Sequence, residues 1–299
     1  MFATSSFSAQ VDMPGKQQVY SSPEEALQSL LSAVTAKDHQ KLRYIFGPVS
    51  QDLEPGDPVE QAAEFSHFSS ELQERTELVK DGDSKAILLI GDEKWPFPVP
   101  VVKRDASWLF DTEAGREEIL TRRIGHNELL AIKVCKSYLD AQREYYTMPD
   151  QEGEQIPKYA QRLISSPGKR DGLYWPTASG DKQSPLGLMV AKAREEGYMQ
   201  KRAEGEKGRR PFHGYYFRIL KRQGSHAPGG KFDYVINNNM IAGHALVAFP
   251  ARWGVSGVMT FMVNQRGRVY QKNLGPKTAE IARKMKEYNP DLTWKLVEQ

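Results

Sequence analysis

The alternation of apolar and polar positions gives the chain a helical rhythm first and a strand rhythm second. Ser22 suits an N-cap, Pro23 the first helical position, and Glu25 completes a capping box. Ala26, Leu27, Leu30, Leu31 and Val34 then form one apolar stripe. Asp38 opens a second short helix carrying Leu42, Ile45 and Phe46, which Gly47-Pro48 stops. A third helix follows Pro58, with Ala62, Phe65, Phe68 and Leu72 as its apolar positions. The period then drops to two. Residues 77–80 and 85–90 flank the turn Asp81-Gly82-Asp83, and residues 99–103 and 107–111 flank Arg104-Asp105-Ala106, so two hairpins are expected. Between them, Trp95-Pro96-Phe97-Pro98-Val99-Pro100 lacks ladder donors at alternate positions and reads as an edge or extended segment. Trp95 and Phe97 are candidate docking residues there, although the preferred reading makes them aromatic plugs over the core.

The second half opens with a short helix over residues 116–123, an interruption at Ile124-Gly125-His126, and a long helix that Asn127 caps and that runs to about Tyr146. Leu130, Val134, Tyr138, Ala141 and Tyr145 stack on one face of it, with Ala131 and Cys135 beside them. Residues 147–185 are rich in proline, glycine and serine and form a long irregular excursion. A helix is expected over 187–199, strands over 214–222, 244–249, 258–264 and 268–273, and a closing helix over 278–288. A possible edge strand follows over 292–296. The class is α+β, in two domains. Residues 1–20 are a tail or signal remnant. Residues 21–125 are helices plus a curved antiparallel meander, and residues 126–299 are a long helix packed on an antiparallel sheet.

With 299 residues the chain is long enough for about two domains at roughly 100–200 residues each. Lys plus Arg number 41 and Asp plus Glu 38, and this balance argues against nucleic acid as the main partner. The basic run Lys201, Arg202, Lys207, Arg209, Arg210, Arg218, Lys221, Arg222 is interleaved with aromatics. It is read as a solvated loop and strand face, in line with that balance. One cysteine, Cys135, excludes an internal disulfide, and its place in an apolar stripe makes it a buried small hydrophobe. No stretch of about 18 apolar residues offers a membrane span. At the N-terminus, Ser6-Phe7-Ser8-Ala9 has the small-residue character of the end of a secretory signal, cleaved after Ala9; the alternative is a plain tail.

No catalytic constellation emerges. The six histidines are dispersed without zinc spacing, so no metal or cofactor is expected. The segment 224–231 lacks the lysine and hydroxyl of a phosphate loop and reads as a hairpin tip. A Ser256/His244/Asp233 triad has no support from order or spacing. The densest polar cluster is Arg122-Arg123-Ile124-Gly125-His126-Asn127-Glu128. It is either an anion site at a helix N-terminus or capping plus interdomain ion pairs, and the second is preferred. Arg122, Arg123, His126, Asn127 and Trp253 are the candidate interaction or junction residues of this half.

Several motifs together carry a resemblance. They are Trp95-Pro-Phe-Pro-Val-Pro, Trp108-Leu-Phe-Asp-Thr-Glu-Ala-Gly115, Arg122 to Glu128, Asp171-Gly-Leu-Tyr-Trp175-Pro and Phe249-Pro-Ala-Arg-Trp-Gly254, with the run from Gly257 to Gly267. The chain resembles the bacterial family of domain of unknown function 2950 over nearly everything after residue 20. The resemblance implies secretion and brings no established activity. The first half also resembles cystatin-like or nuclear-transport-factor-2-like units. The second resembles the globular part of type IV pilin-like proteins, but lacks the apolar N-terminal segment that filament assembly needs. The expectation is a non-enzymatic periplasmic or secreted protein that binds or scaffolds an envelope protein. The alternative is a small-ligand binder or enzyme using a pocket in the N-terminal domain.

Overall fold

A computed structural model describes residues 17–148, 157–178, 180–198 and 210–298. The fold is α+β. Two compact units are present, one made of the residues up to 54 with 65–119, the other of 55–64 with the residues from 120 onward.

In the first unit, α1 (Pro23–Thr35) starts as its capping residues dictate, with the Glu25 N–H donating to Ser22 Oγ at 3.1 Å. Helices α2 (His39–Phe46) and α3 (Val49–Asp52) follow, and then α4 (Pro58–Glu74), whose first residues belong to the second unit. The meander consists of β1 (Thr76–Lys80), β2 (Lys85–Ile90), β3 (Trp95–Pro96), β4 (Val101–Arg104) and β5 (Ser107–Phe110). The order is β1-β2-β4-β5, antiparallel throughout, and the two-residue β3 also pairs with β2. Leu30, Val34, Ile45, Leu88, Val101 and Phe110 are the centre of the core. Phe97 is half-buried and stacks on Phe68 with ring centroids 5.1 Å apart, as a plug should. Trp95 is not a plug: it is 49% exposed and its Nε1 donates to Glu93 at 3.0 Å. The polar indole nitrogen keeps the ring at the surface, where the acid can reach it. Ala62 is exposed rather than part of an apolar face.

The expected break at Ile124-Gly125-His126 does not occur. One helix, α5, runs unbroken over Thr112–Tyr146. A glycine inside a helix costs only about 1 kcal/mol against alanine, too little to stop a helix whose flanking residues are held by packing. Asn127 therefore caps nothing, and the anion site at a helix N-terminus falls with it.

In the second unit, to which α5 belongs from Leu120 onward, that helix lies on a five-stranded antiparallel sheet. After α6 (Gly187–Glu195) come β6 (Tyr215–Leu220), β7 (Arg222–Gln223), β8 (Phe232–Asp233), β9 (Val235–Ile236), β10 (Asn239–Met240), β11 (Ala245–Pro250), β12 (Met259–Asn264) and β13 (Tyr270–Asn273). Then follow α7 (Thr278–Lys284) and β14 (Lys295–Leu296). The main sheet has the order β14-β13-β12-β11-β6, and β7-β8 and β9-β10 are separate two-stranded pieces. Every residue of β11 is buried because the sheet is covered on both faces. Leu246 and Ala248 meet Ala131, Cys135, Tyr138 and Leu139 of α5. Ala245 and Val247 point the other way, toward Tyr234, Tyr288 and Trp294. Cys135 has no exposed surface, and burial pushes its thiol up to about 12, so it is a packing residue. The closing helix stops at Lys284, four residues before its expected end, and Tyr288 instead forms a bridge with Gln223 in the core.

The irregular excursion is anchored by a side chain. Gln142, fully buried on α5, donates from Nε2 to Ala160 O at 2.9 Å and accepts from Ala160 N at 2.8 Å. It offers a loop the two bonds a neighbouring strand would offer. Gln142→Leu would orphan both backbone groups of Ala160. The expected loss is about 3 kcal/mol of unfolding free energy in urea melts; a loss under about 0.5 kcal/mol would mean the clamp contributes little.

Candidate functional site

Three of the sequence-predicted residues of the second unit, Arg123, His126 and Asn127, gather around the first turn of α4. Asp57, with no exposed surface, is the N-cap: its Oδ1 accepts from Val59 N at 3.1 Å and Glu60 N at 3.3 Å. Its Oδ2 accepts from the Tyr198 hydroxyl at 3.1 Å and from Gly214 N at 3.2 Å. Gly214 has φ +69°, and a Cβ there would lie 2.7 Å from Asn127 Nδ2 and 2.8 Å from Ser256 Cβ, so only glycine fits. His213 before it also has positive φ, +45°, a conformation unusual for a side-chain-bearing residue.

Asn127, also fully buried, donates from Nδ2 to Glu60 Oε1 at 2.7 Å and to Ser256 O at 3.2 Å. Glu60 is 8% exposed, and burial pushes its carboxyl up to about 7 against the opposing bond from Asn127. Glu64 and Asp57 push in the same direction, and Arg123 opposes them. Glu60 Oε2 and Asn127 Oδ1 are buried acceptors with no donor among the described residues. A proton on Glu60 supplies one. Arg123 grips Glu64 with two bonds of 2.9 Å, Nε to Oε1 and Nη2 to Oε2. His126 packs edge-on to His213 with ring centroids 6.4 Å apart. His213 Nε2 lies 3.0 Å from Glu196 Oε2; burial lowers the pKa of this imidazole despite that carboxylate.

Arg123, His126 and Asn127 are thus brought together, while Arg122 is on the exposed side of the same helix. Trp253 is 36% exposed, with its Nε1 donating to Asn273 Oδ1 at 2.9 Å. Trp95 and Phe97 belong to the other unit. The cluster works as architecture. Ser256 Oγ accepts from Arg252 N at 3.0 Å and donates to Gly214 O at 2.9 Å, so it is not poised as a nucleophile. His244 packs between Tyr138 and Tyr159, and Asp233 pairs with Arg222, so no Ser256/His244/Asp233 triad forms. Among the described residues no group of three or more His, Cys, Asp or Glu could hold a metal ion.

The sequence reading missed Asp57, Glu60 and Tyr198. The Asp57-Pro58 pair was the available signal, since an N-cap acid before an N1 proline marks a helix start. It also missed a cavity of about 980 Å³ beside β6, walled by Leu186, Met189, Val190 and Ala193 on one side and by Arg218, Phe249 and Arg283 on another. Lys201, Arg202, Lys207 and Arg209 of the basic run lie outside the described residues. Arg210 lines the cavity, and Arg218 corrects the solvated-face reading, because its Nη2 donates to Ala282 O and Met285 O at the end of α7.

β6 is the edge of its sheet. The bond from Ala251 N to Gly214 O, 2.8 Å, sets the phase of its ladder with β11. Tyr216, Arg218 and Leu220 turn their backbone groups toward β11, and Tyr215, Phe217 and Ile219 turn theirs outward. Tyr215 is satisfied by Phe212, and Lys221 O accepts from Tyr234 N. The outward N–H and C=O groups of Phe217 and Ile219 have no partner among the described residues.

Glu60 makes stability pH-dependent. Its folded pKa near 7 lies above the unfolded value of 4.5, so the folded chain holds the proton more tightly between them. The contribution of Glu60 to stability is full below about pH 4.5 and is lost as pH rises through 7. Glu60→Gln keeps a neutral side chain that can donate to Asn127 Oδ1. It should be more stable than wild type by roughly 2 kcal/mol at pH 8, with the gap closing toward pH 4.5. Thermal melts of both proteins across that range check this; parallel curves would refute it.

Among the described residues no helix is long and apolar enough to cross a membrane. Comparison with curated proteins and with solved structures found no match. The family model described as protein of unknown function DUF2950 matches residues 17–297. With nearly the whole chain covered by that match, from the residues before α1 to those after β14, this protein belongs to the DUF2950 family.

Proposed function

We propose that this protein is a non-enzymatic, extracytoplasmic protein of the bacterial cell envelope that binds a protein partner through its second unit. The observation that carries this reading is the outer edge of β6, unpartnered among the described residues, beside an apolar cavity. Sheet edges are usually blunted or covered, and one left open next to a concave apolar wall suits a binding surface. The inward commitment of the polar cluster supports a binding role over catalysis: Asp57, Tyr198 and Ser256 are spent on internal hydrogen bonds. The likeness to pilin-like globular domains is supported by α5 lying on an antiparallel sheet, and the cystatin-like likeness by helices over a meander. The envelope address rests on the Ser6–Ala9 pattern, which lies outside the described residues, and on the secretion that the family resemblance implies.

Two measurements test this. Expressed in a bacterium with a C-terminal tag, the chain should be recovered from the periplasmic or external fraction with an N-terminus beginning at Gln10. Retention in the cytoplasm with Met1 intact would sink the address. Cross-linking to envelope extract, followed by reconstitution with the purified candidate, should give a saturable one-to-one complex through the second unit. Turnover of a substrate that His213→Ala abolishes would overturn the non-enzymatic reading.

A further inference from the structure

We propose that the cavity beside β6 is a strand-addition site for an extended, acidic segment of a partner protein, which pairs with the outward backbone groups of Phe217 and Ile219. This rests on the reading of the protein as a partner-binding module and names the chemistry of the partner.

Three observations converge. First, the cavity is lined by Tyr215, Phe217 and Ile219, which share their packing with the α5 side of the sheet, and also by Tyr216 and Arg218, which alternate to the other side. A space touched by both faces of one strand sits on its edge, where the next strand of the sheet would run. Second, the open window is short and bounded. Tyr215 closes it at one end through Phe212 and Lys221 at the other through Tyr234. Two outward residues remain, offering two donors and two acceptors at the two-residue repeat of a peptide backbone. Such a window takes about five residues of added strand, roughly 16 Å long. A small ligand has no reason to match that repeat, whereas an extended peptide matches it by construction.

Third, the walls specify side chains. An added strand alternates its residues between two faces. On one face they meet Leu186, Val190 and Ala193, which ask for apolar partners. On the other they meet Arg218 and Arg283, with Arg162 and Arg210 also in the lining, and no Asp or Glu is among the described lining residues. The matching segment therefore alternates apolar and acidic residues. The same arginines disfavour a second copy of this chain as occupant, since edge-to-edge pairing of two β6 strands would bring Arg218 near its own equivalent.

The test uses a blocked synthetic heptapeptide of alternating valine and aspartate, fluorescently labelled, with binding to the full chain followed by anisotropy. Three further peptides carry lysine for aspartate, or N-methyl groups on one or the other alternate set of residues. The Val/Asp peptide should bind saturably. The lysine peptide should bind at least about tenfold more weakly. One N-methylated peptide, the one that loses the donors facing β6, should lose about tenfold in affinity and the other far less. Ile219→Pro removes the outward N–H without removing a rung to β11, a position where an edge strand tolerates proline, and should weaken binding about tenfold. Arg283→Glu, on the exposed face of α7, covers the case in which the proline variant misfolds, and should reverse the preference between the aspartate and lysine peptides. Equal binding of both N-methylated peptides, or no saturable binding of the Val/Asp peptide, would overturn strand addition. So would dimerisation of the chain in light scattering that Ile219→Pro abolishes. If a reconstituted envelope partner binds Ile219→Pro and Arg283→Glu as it binds wild type, strand addition fails while the partner-binding reading stands. If no partner is found and the peptides still bind as expected, the site stands and the envelope role falls.

Discussion

A carboxylate taken wholly out of water has to be met by donors, and Asp57 is met by four. Two come from the first turn of α4, one from the Tyr198 hydroxyl just after α6, and one from Gly214 just before β6. Leaving such a charge unpaired would cost several kcal/mol, so these segments are held together by the need to satisfy one side chain. The consequence reaches the cavity. Its α6 wall and its β6 wall lead, at their neighbouring ends, to the same carboxylate oxygen, Asp57 Oδ2. The spacing between helix and strand edge is therefore set by a buried charge and not by apolar contact alone.

Around this anchor, α5 acts as a rod whose polar side chains replace missing backbone partners. Glu128 accepts from both Val258 N and Met259 N at 2.9 Å and so fixes the start of β12. Tyr138 donates to Ala245 O, and Gln142 holds Ala160. Each bond lets a strand end or a loop be buried without orphaned groups. The same logic explains why β6 can stop being satisfied on its outer side. Phe217 and Ile219 lie only partly buried, where the penalty of an unmet backbone group is softened by solvent.

The polar cluster also divides the protein's response to pH. Glu60 favours the folded state when protonated, so its contribution fades as pH rises through about 7. His244 acts in the opposite direction. Burial lowers it to about 4, below the ordinary 6.5, so its contribution is full above pH 6.5 and is lost as pH falls toward 4. Neither group touches the outer edge of β6, so these effects bear on stability.

Local periodicity was enough to place α1, α2, the meander and the four long strands of the second sheet, because apolar spacing and turn residues act over a few neighbours. It was also enough to show Cys135 as a packing residue. It misjudged Gly125 and Asn127, where a short-range preference for breaking or capping a helix is worth about 1 kcal/mol. Burial against segments more than 60 residues away outweighed it: Asn127 finds Glu60 and Ser256, which no local window contains. The open edge of β6 was likewise invisible in sequence, since Tyr-Tyr-Phe-Arg-Ile-Leu reads the same in a central strand and in an outer one. Only the order of strands decides which backbone groups go unpaired, and only the packing of α6 and α7 decides that a cavity lies beside them. The sequence by itself determined which segments are helix and strand, through interactions between near neighbours. The tertiary structure decided the site, because a buried carboxylate and a sheet edge acquire meaning only from what the fold brings next to them.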